Sequence, residues 1–486
     1  MKTPSIKNLF LEMQEDNLPA IYSSQETITY GELKNKVNKV LRSLIDLDVG
    51  EGDHVAILGG FEPEIISIIV AIWKLGAVPV PLNTRLSNRE LNELISISDC
   101  KLILVSSELQ NKNIQSDVES IEYPFNDPVS KGTISNDFIP QFTSTAVIIF
   151  SSGSTGKPKA VEISFKGFIE SAKTGNKILM QTENDKWLAS LPFYHIGGFS
   201  ILARSLLHNT SLILPESNSV EDIISAIDLF HPTLCSLVPT QLRRLINFEI
   251  PNVEKIRHVL IGGGFSSEDL ILAAYKQGWN VVKVYGSTET TAFVTALSGD
   301  EILYKPKSAG KAISPNIIKI INDKGIEVIE GEVGEIIINT PAIMKGYYKN
   351  DAEYKKCFKS DFYLSGDLGY LDEEGFLYIE ARRTDMIVTG GENVNVNEIE
   401  ILILDYPDIE EAAVFPLPDE EWGQVVTAAI KLKNNKNELP IKDLNDFLSK
   451  ELADFKLVRK LFIVKEIPKT DLGKTDRKKL IENYRL

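Results

Sequence analysis

Phe150-Ser-Ser-Gly-Ser-Thr-Gly-Lys-Pro-Lys-Ala-Val161 follows an apolar run, Ala146-Val-Ile-Ile149, rich in β-branched residues. A strand emptying into a loop of glycines and hydroxyls is the start of a phosphate cradle. Glycine lacks the Cβ that keeps phosphate oxygens away from backbone N–H groups. Ser152, Ser154 and Thr155 add donors, and Lys157 and Lys159 add positive charge. The loop is not a Walker motif, because Ser151 and Pro158 occupy positions where that pattern needs Gly and Ser or Thr. Taken alone, a flexible Gly/Ser turn would be the better reading.

Outward from the cradle, strands alternate with amphipathic helices, the pattern of an α/β fold. Thr29-Tyr-Gly-Glu32 has capping-box spacing and opens a helix with Leu33, Val37, Val40, Leu41 and Leu44 on one face, ending near Gly50. His54 to Leu58 reads as a buried strand, Ile65 to Trp73 as a buried helix, and Ala77 to Leu82 as a strand after the Gly76 break. The polar stretch 106–141 reads as surface connection. Short strands over Gly331–Ile338, Gly366–Leu371 and Gly375–Ile379 predict a small β unit. Beyond about residue 384 the pattern predicts a separate α+β unit: helix Val396–Leu404, strands Glu411–Pro416 and Val425–Leu432, and helix Ile441–Leu452. The expected domains are therefore 1–383, a large α/β unit with the small β unit, and 384–486.

At 486 residues the chain exceeds a single core. A net charge of -16 argues against nonspecific binding to nucleic acid or anionic membrane, and favours small-molecule partners. Cys100, Cys235 and Cys357 are too few and too scattered for a disulfide framework or a zinc site, as expected for a cytoplasmic protein. The start, Met-Lys-Thr-Pro-Ser-Ile-Lys, has no apolar stretch of signal-peptide length, and the most apolar segment, Ile65 to Trp73, is too short to span a bilayer as a helix. Oligomeric state, including a homo-oligomer, stays open.

Further motifs follow the cradle in order: Tyr285-Gly-Ser-Thr-Glu289, Tyr363-Leu-Ser-Gly-Asp367, Arg382 with Asp385, Gly390-Gly-Glu-Asn393, and Pro468-Lys-Thr-Asp-Leu-Gly-Lys474. In this order and spacing the chain resembles the adenylate-forming superfamily of acyl-CoA synthetases, adenylation domains and luciferases, from about Thr29 to Arg477. The resemblance implies an AMP-forming acid:CoA ligase using ATP, Mg²⁺ and CoA, with a C-terminal domain that rotates about a hinge. It assigns Ser151, Ser152, Gly153, Ser154, Thr155, Gly156, Lys157 and Lys159 to the β- and γ-phosphates. Thr288 goes to the α-phosphate, and Glu289, with Thr155, to the metal. Gly262, Gly263 and Gly264 go to the adenine, with Tyr285 stacking on it and Gly286 and Ser287 beside it, although three glycines alone fit a turn without ligand better. Asp367 goes to the ribose hydroxyls, Arg382 to the ribose or phosphate region, and Gly390 and Gly391 to the pantetheine of CoA. Lys474 becomes the adenylation lysine and His195 the gate of the acyl pocket.

Three positions depart from the superfamily pattern: Thr384 at the hinge, Ala381 before Arg382, and Phe455-Lys-Leu-Val458. The chain stops twelve residues after Lys474, so no fused carrier domain is expected. The stretches Ser236-Leu-Val-Pro-Thr-Gln-Leu242 and Trp187 to Arg204 resemble most the o-succinylbenzoate:CoA ligases. There Arg204 aligns with an arginine suited to a second carboxylate, although it equally fits a helix surface. Gly197 replaces the usual Ser. Alternatives share the catalytic motifs: another acyl- or aryl-CoA synthetase, or a freestanding adenylation enzyme that loads a carrier protein. A noncatalytic nucleotide binder is disfavoured by Lys474, Glu289 and Asp367 together.

Overall fold

The computed structural model describes residues 4–109, 112, 114, 117–125, 140–152, 158–264, 266–381, 386–433, 438–468 and 475–484. The expected α/β architecture is present. A nine-stranded sheet has six parallel strands at its centre: Pro19–Tyr22, Ser211–Ile213, Lys186–Leu188, Leu234–Leu237, His258–Ile261 and Val281–Ser287. A second, four-stranded parallel sheet carries His54–Leu58 between Val78–Pro81 and Cys100–Ser106. Strand ends of parallel sheets are where such folds place their ligands.

The cradle strand Thr145–Ser152 belongs to a small antiparallel sheet, running against Pro158–Ser164, which in turn pairs with Gly346–Tyr347. Its position is fixed by the helix Pro63–Lys74. Nine consecutive residues of that helix, Ile65 to Trp73, are buried, and Trp73 Nε1 donates to the Ala146 carbonyl at 2.6 Å. Each fully buried large aliphatic or aromatic side chain there is worth roughly 1.5–3 kcal/mol, so the strand that leads into the phosphate loop is anchored on rigid core. Thr29 caps the helix Tyr30–Asp46 and Glu32 completes the reciprocal box, as its sequence predicts.

A five-stranded antiparallel sheet over 317–381 forms the small β unit. Another five-stranded sheet, within 386–463, carries the C-terminal unit. The expected boundary at 383/384 lies outside the described residues. Three expectations need correction. The polar stretch 106–141 contains a strand, Glu119–Tyr123, which pairs in parallel with Cys100–Ser106 at the sheet edge. An edge strand buries little, so its polar sequence hid it. The strand expected over Glu411–Pro416 spans Ile409–Asp419; Pro416 and Pro418 are tolerated because it too is an edge strand. The helix expected to reach Leu452 ends at Leu448.

Among the described residues no helix is long and apolar enough to cross a membrane.

Candidate active site

A cavity of about 350 Å³ opens between the strand ends and the C-terminal sheet. Ser151, Lys159, Gly262, Gly263, Gly286, Ser287, Thr288, Glu289, Asp367 and Gly391 line it, as do His195, Gly197 and Arg204. Motifs scattered over 240 positions of sequence thus meet in one wall. Gly286 has to be glycine there, since a Cβ would fall 1.8 Å from the Ala292 carbonyl oxygen. Gly153, Ser154, Thr155, Gly156, Lys157, Arg382 and Lys474, and the side chain of Ser152, lie outside the described residues. Tyr285, Gly264 and Gly390 are not in the wall. Tyr285 is buried and its hydroxyl donates to Asp367 Oδ2 at 2.8 Å, so it orients the carboxylate assigned to the ribose. Gly264 packs by Pro239 and Val388, and Gly390 against Trp422.

At the phosphate end Glu289 is held in place. Its Oε1 accepts from Ser151 Oγ and from the Tyr347 hydroxyl, each at 3.2 Å, and its carbonyl accepts from Met344 N at 2.7 Å. No group of three or more His, Cys, Asp or Glu side chains forms a metal cage among the described residues. A single fixed carboxylate still fits Mg²⁺, which commonly takes one or two protein carboxylates and fills its shell with phosphate oxygens and water. Lys159 is buried and ion-paired with Glu353 at 2.6 Å, so its charge already has a protein partner in this arrangement.

The acyl end is built on the helix Ile196–His208. Gly198 lets its first turn approach the preceding chain, because a Cβ would fall 2.1 Å from the Pro192 carbonyl oxygen. Arg204 is 3 % exposed and therefore not a surface arginine. One NH2 donates to Ser171 Oγ at 2.8 Å, the guanidinium lies 4.5 Å from the Phe293 ring centre, and Nε has no hydrogen-bond partner among the described residues. Among the described residues no carboxylate pairs with it. Burial pushes its pKa down to about 9. One turn on, burial first and the Arg204 charge second push His208 down to about 4.

His195 caps that helix by position without a side-chain cap bond, which leaves its ring available. Nε2 meets Glu392 Oε2 at 3.1 Å. Glu392, from the Gly390-Gly391 motif, also accepts from Asn83 at 3.0 Å and Arg85 at 3.3 Å. Burial opposes its charge, but His195, Arg85 and Asn83 outweigh that and hold the carboxyl below the ordinary range. Asn83, Arg85, Glu392, Tyr347 and Glu353 had no assigned role from sequence. Only the Gly-Gly-Glu-Asn motif could have drawn attention to one of them.

Ser151, Glu289, Asp367, His195 and Arg204 around one cavity are the arrangement expected of a nucleotide-dependent carboxylate-activating enzyme. The model of the AMP-binding enzyme family matches residues 11–348, and that of the AMP-binding enzyme C-terminal domain matches 398–474. The chain belongs to the AMP-binding enzyme family and is an AMP-forming acid–CoA ligase. Its relatives include the 2-succinylbenzoate--CoA ligase of Oceanobacillus iheyensis, 34 % identical over 96 % of this chain and 97 % of that one. The Bacillus subtilis enzyme of the same name is 32 % identical over 96 % of each. A double mutant of the Bacillus subtilis o-succinylbenzoate CoA synthetase, bound to its product analogue OSB-NCoA, superposes with a TM-score of 0.90 at 31 % identity over 99 % of both chains. The same enzyme with the acyl-adenylate intermediate OSB-AMP gives 0.74 over 98 % of both.

Proposed function

We propose that this chain converts o-succinylbenzoate to o-succinylbenzoyl-CoA, a step of menaquinone biosynthesis, in the cytoplasm. The observation that carries the substrate is Arg204. A buried guanidinium in the cavity wall, whose Nε has no partner and which meets no carboxylate among the described residues, is completed by a substrate with a second carboxylate. The first carboxylate reacts in two steps. Its oxygen attacks the α-phosphorus of ATP and pyrophosphate leaves; the thiolate of CoA then attacks the acyl carbon and AMP leaves. Glu289 would hold Mg²⁺, which when bound would supply charge neutralisation for the departing pyrophosphate. Asp367, oriented by Tyr285, receives the ribose hydroxyls. By resemblance, Lys474 stabilises the charge that develops at the α-phosphate.

Two observations support reading the described arrangement as that of thioester formation. Glu392 reaches across to His195, the residue read as the gate, and the relative bound to its product analogue OSB-NCoA superposes better than the same enzyme with the acyl-adenylate intermediate OSB-AMP. We place the domain boundary at 383/384, beside Thr384.

Mass spectrometry of a reaction with ATP, Mg²⁺, CoA and o-succinylbenzoate, with benzoate and a medium-chain fatty acid in parallel, tests the reading. The expected result is a CoA thioester from o-succinylbenzoate alone. Arg204→Ala should lower kcat/KM for it by about 10-fold or more, the size of a lost charged hydrogen bond. Turnover of benzoate at a comparable rate would return the substrate to another aryl acid.

A further inference from the structure

We propose that Tyr347 is a positioning residue for the divalent cation, acting through Glu289; the proposal rests on the assignment of Glu289 to the metal. Tyr347 ends the short strand Gly346–Tyr347 and pairs with Val161, on the strand that leaves the phosphate loop. It is 3 % exposed, and its hydroxyl donates to Glu289 Oε1. Ser151, on the strand that enters the loop, donates to the same oxygen. The strand that enters the phosphate loop and the strand paired to the one that leaves it therefore grip one atom of one carboxylate.

An ionised carboxylate is acceptor-only and has two oxygens. Two hydroxyl donors on Oε1 fix the side-chain rotation, and among the described residues no hydrogen bond engages Oε2. That oxygen faces the role of ligand. The phenol is itself immobilised, since the Lys159 ammonium lies 5.0 Å from its ring centre and is tied to Glu353. Outer partners of this kind orient a ligand before the metal arrives, and their removal commonly weakens metal binding by about 10- to 100-fold.

The test is Mn²⁺ binding, followed by electron paramagnetic resonance, to Tyr347→Phe in the presence of a nonhydrolysable ATP analogue. The expected result is an affinity weaker by about 10-fold, with Mg²⁺ at high concentration restoring kcat. Cys357→Ala, which removes the thiol 3.8 Å from the same hydroxyl, should leave Mn²⁺ affinity unchanged. An equal loss in that variant would make the effect one of packing and overturn the proposal, as would wild-type affinity in Tyr347→Phe. If Tyr347→Phe does not fold, Ser151→Ala removes the other donor on Oε1, and unaltered affinity there overturns the proposal. Glu289→Gln separates the two layers. If it abolishes Mn²⁺ binding while Tyr347→Phe does not weaken it, only the positioning role fails; if it binds Mn²⁺ as the wild type does, the metal assignment fails first.

Discussion

Two buried polar clusters flank the cavity, and they differ in completeness. At the seam between the N-terminal part and the C-terminal sheet, charges are matched across the gap. Lys456 pairs with Glu90 at 2.5 Å and with Glu398 at 2.9 Å, and Glu392 collects Asn83, Arg85 and His195. Along one face of the helix Ile196–His208, at i, i+4 and i+8, stand Ser200 Oγ, Arg204 Nε and His208 Nε2, all buried and all without a hydrogen-bond partner among the described residues. A satisfied cluster holds two parts of the protein together. An unsatisfied one costs stability and is understandable where a ligand or water completes it. The seam is thus a contact the protein makes with itself, and the stripe is a contact it reserves.

Breaking the seam has the largest expected effect. Lys456→Ala leaves Glu90 and Glu398 buried and facing each other. Loss of one partner from a buried ion pair costs about 3–5 kcal/mol, which urea denaturation at neutral pH will register. Because Glu90 lies on the N-terminal side and Glu398 on the C-terminal side, CoA-dependent thioester formation should fall further than ATP–pyrophosphate exchange. Equal loss of both half-reactions would show that the triad serves overall stability and not this arrangement.

A narrower cut in the same seam is Glu392→Gln. It keeps the size of the side chain but removes the negative charge that His195 and Arg85 face. Charge-assisted hydrogen bonds are worth roughly 1.5–3 kcal/mol each, so the thioester step should slow by about 10-fold or more, with adenylate formation near wild type. Single-turnover measurement of the two half-reactions checks this. A slowed adenylation step instead would place Glu392 in the first half of the cycle.

The difference between the clusters also marks where sequence reading stopped. The wall of the cavity was legible because its residues stand in short motifs whose chemistry is local: Ser151 in the cradle, Thr288 and Glu289 after Tyr285, Asp367 after Gly366. The seam was not, since Glu392 and Asn83 lie 309 residues apart and Lys456 and Glu90 lie 366 apart. Lys456 itself was visible only as part of a departure, Phe455-Lys-Leu-Val458, from a family pattern. Likewise Glu353 is one acid among many until the strand pairing of Gly346–Tyr347 with Pro158–Ser164 brings it to Lys159. Of the stripe, Arg204 was legible through resemblance, but its burial was not. A helix carrying Ser, Arg, Ser and His looks half-exposed until the neighbouring helix Phe165–Leu179, with Ser171 and Ala172, covers it.

The smallest effect separates the stripe from the seam by pH. His208 titrates at 6.5 when unfolded and is pushed down to about 4 when folded, by burial and by Arg204, against a bond to the Ala172 backbone that favours the charged form. A base whose folded pKa is depressed binds more protons unfolded, so stability rises with pH across this window. Its contribution is complete above 6.5 and is lost as pH falls toward 4. Between pH 6.5 and pH 5 that is on the order of 2 kcal/mol. His208→Gln, which cannot take up a proton, should flatten this part of the stability–pH curve. Added o-succinylbenzoate, by placing a carboxylate against Arg204, should offset the Arg204 repulsion, raise the His208 pKa and make the wild-type curve shallower. A slope that neither the substitution nor the ligand changes would mean that His208 is not held neutral, and that the stripe is no less complete than the seam.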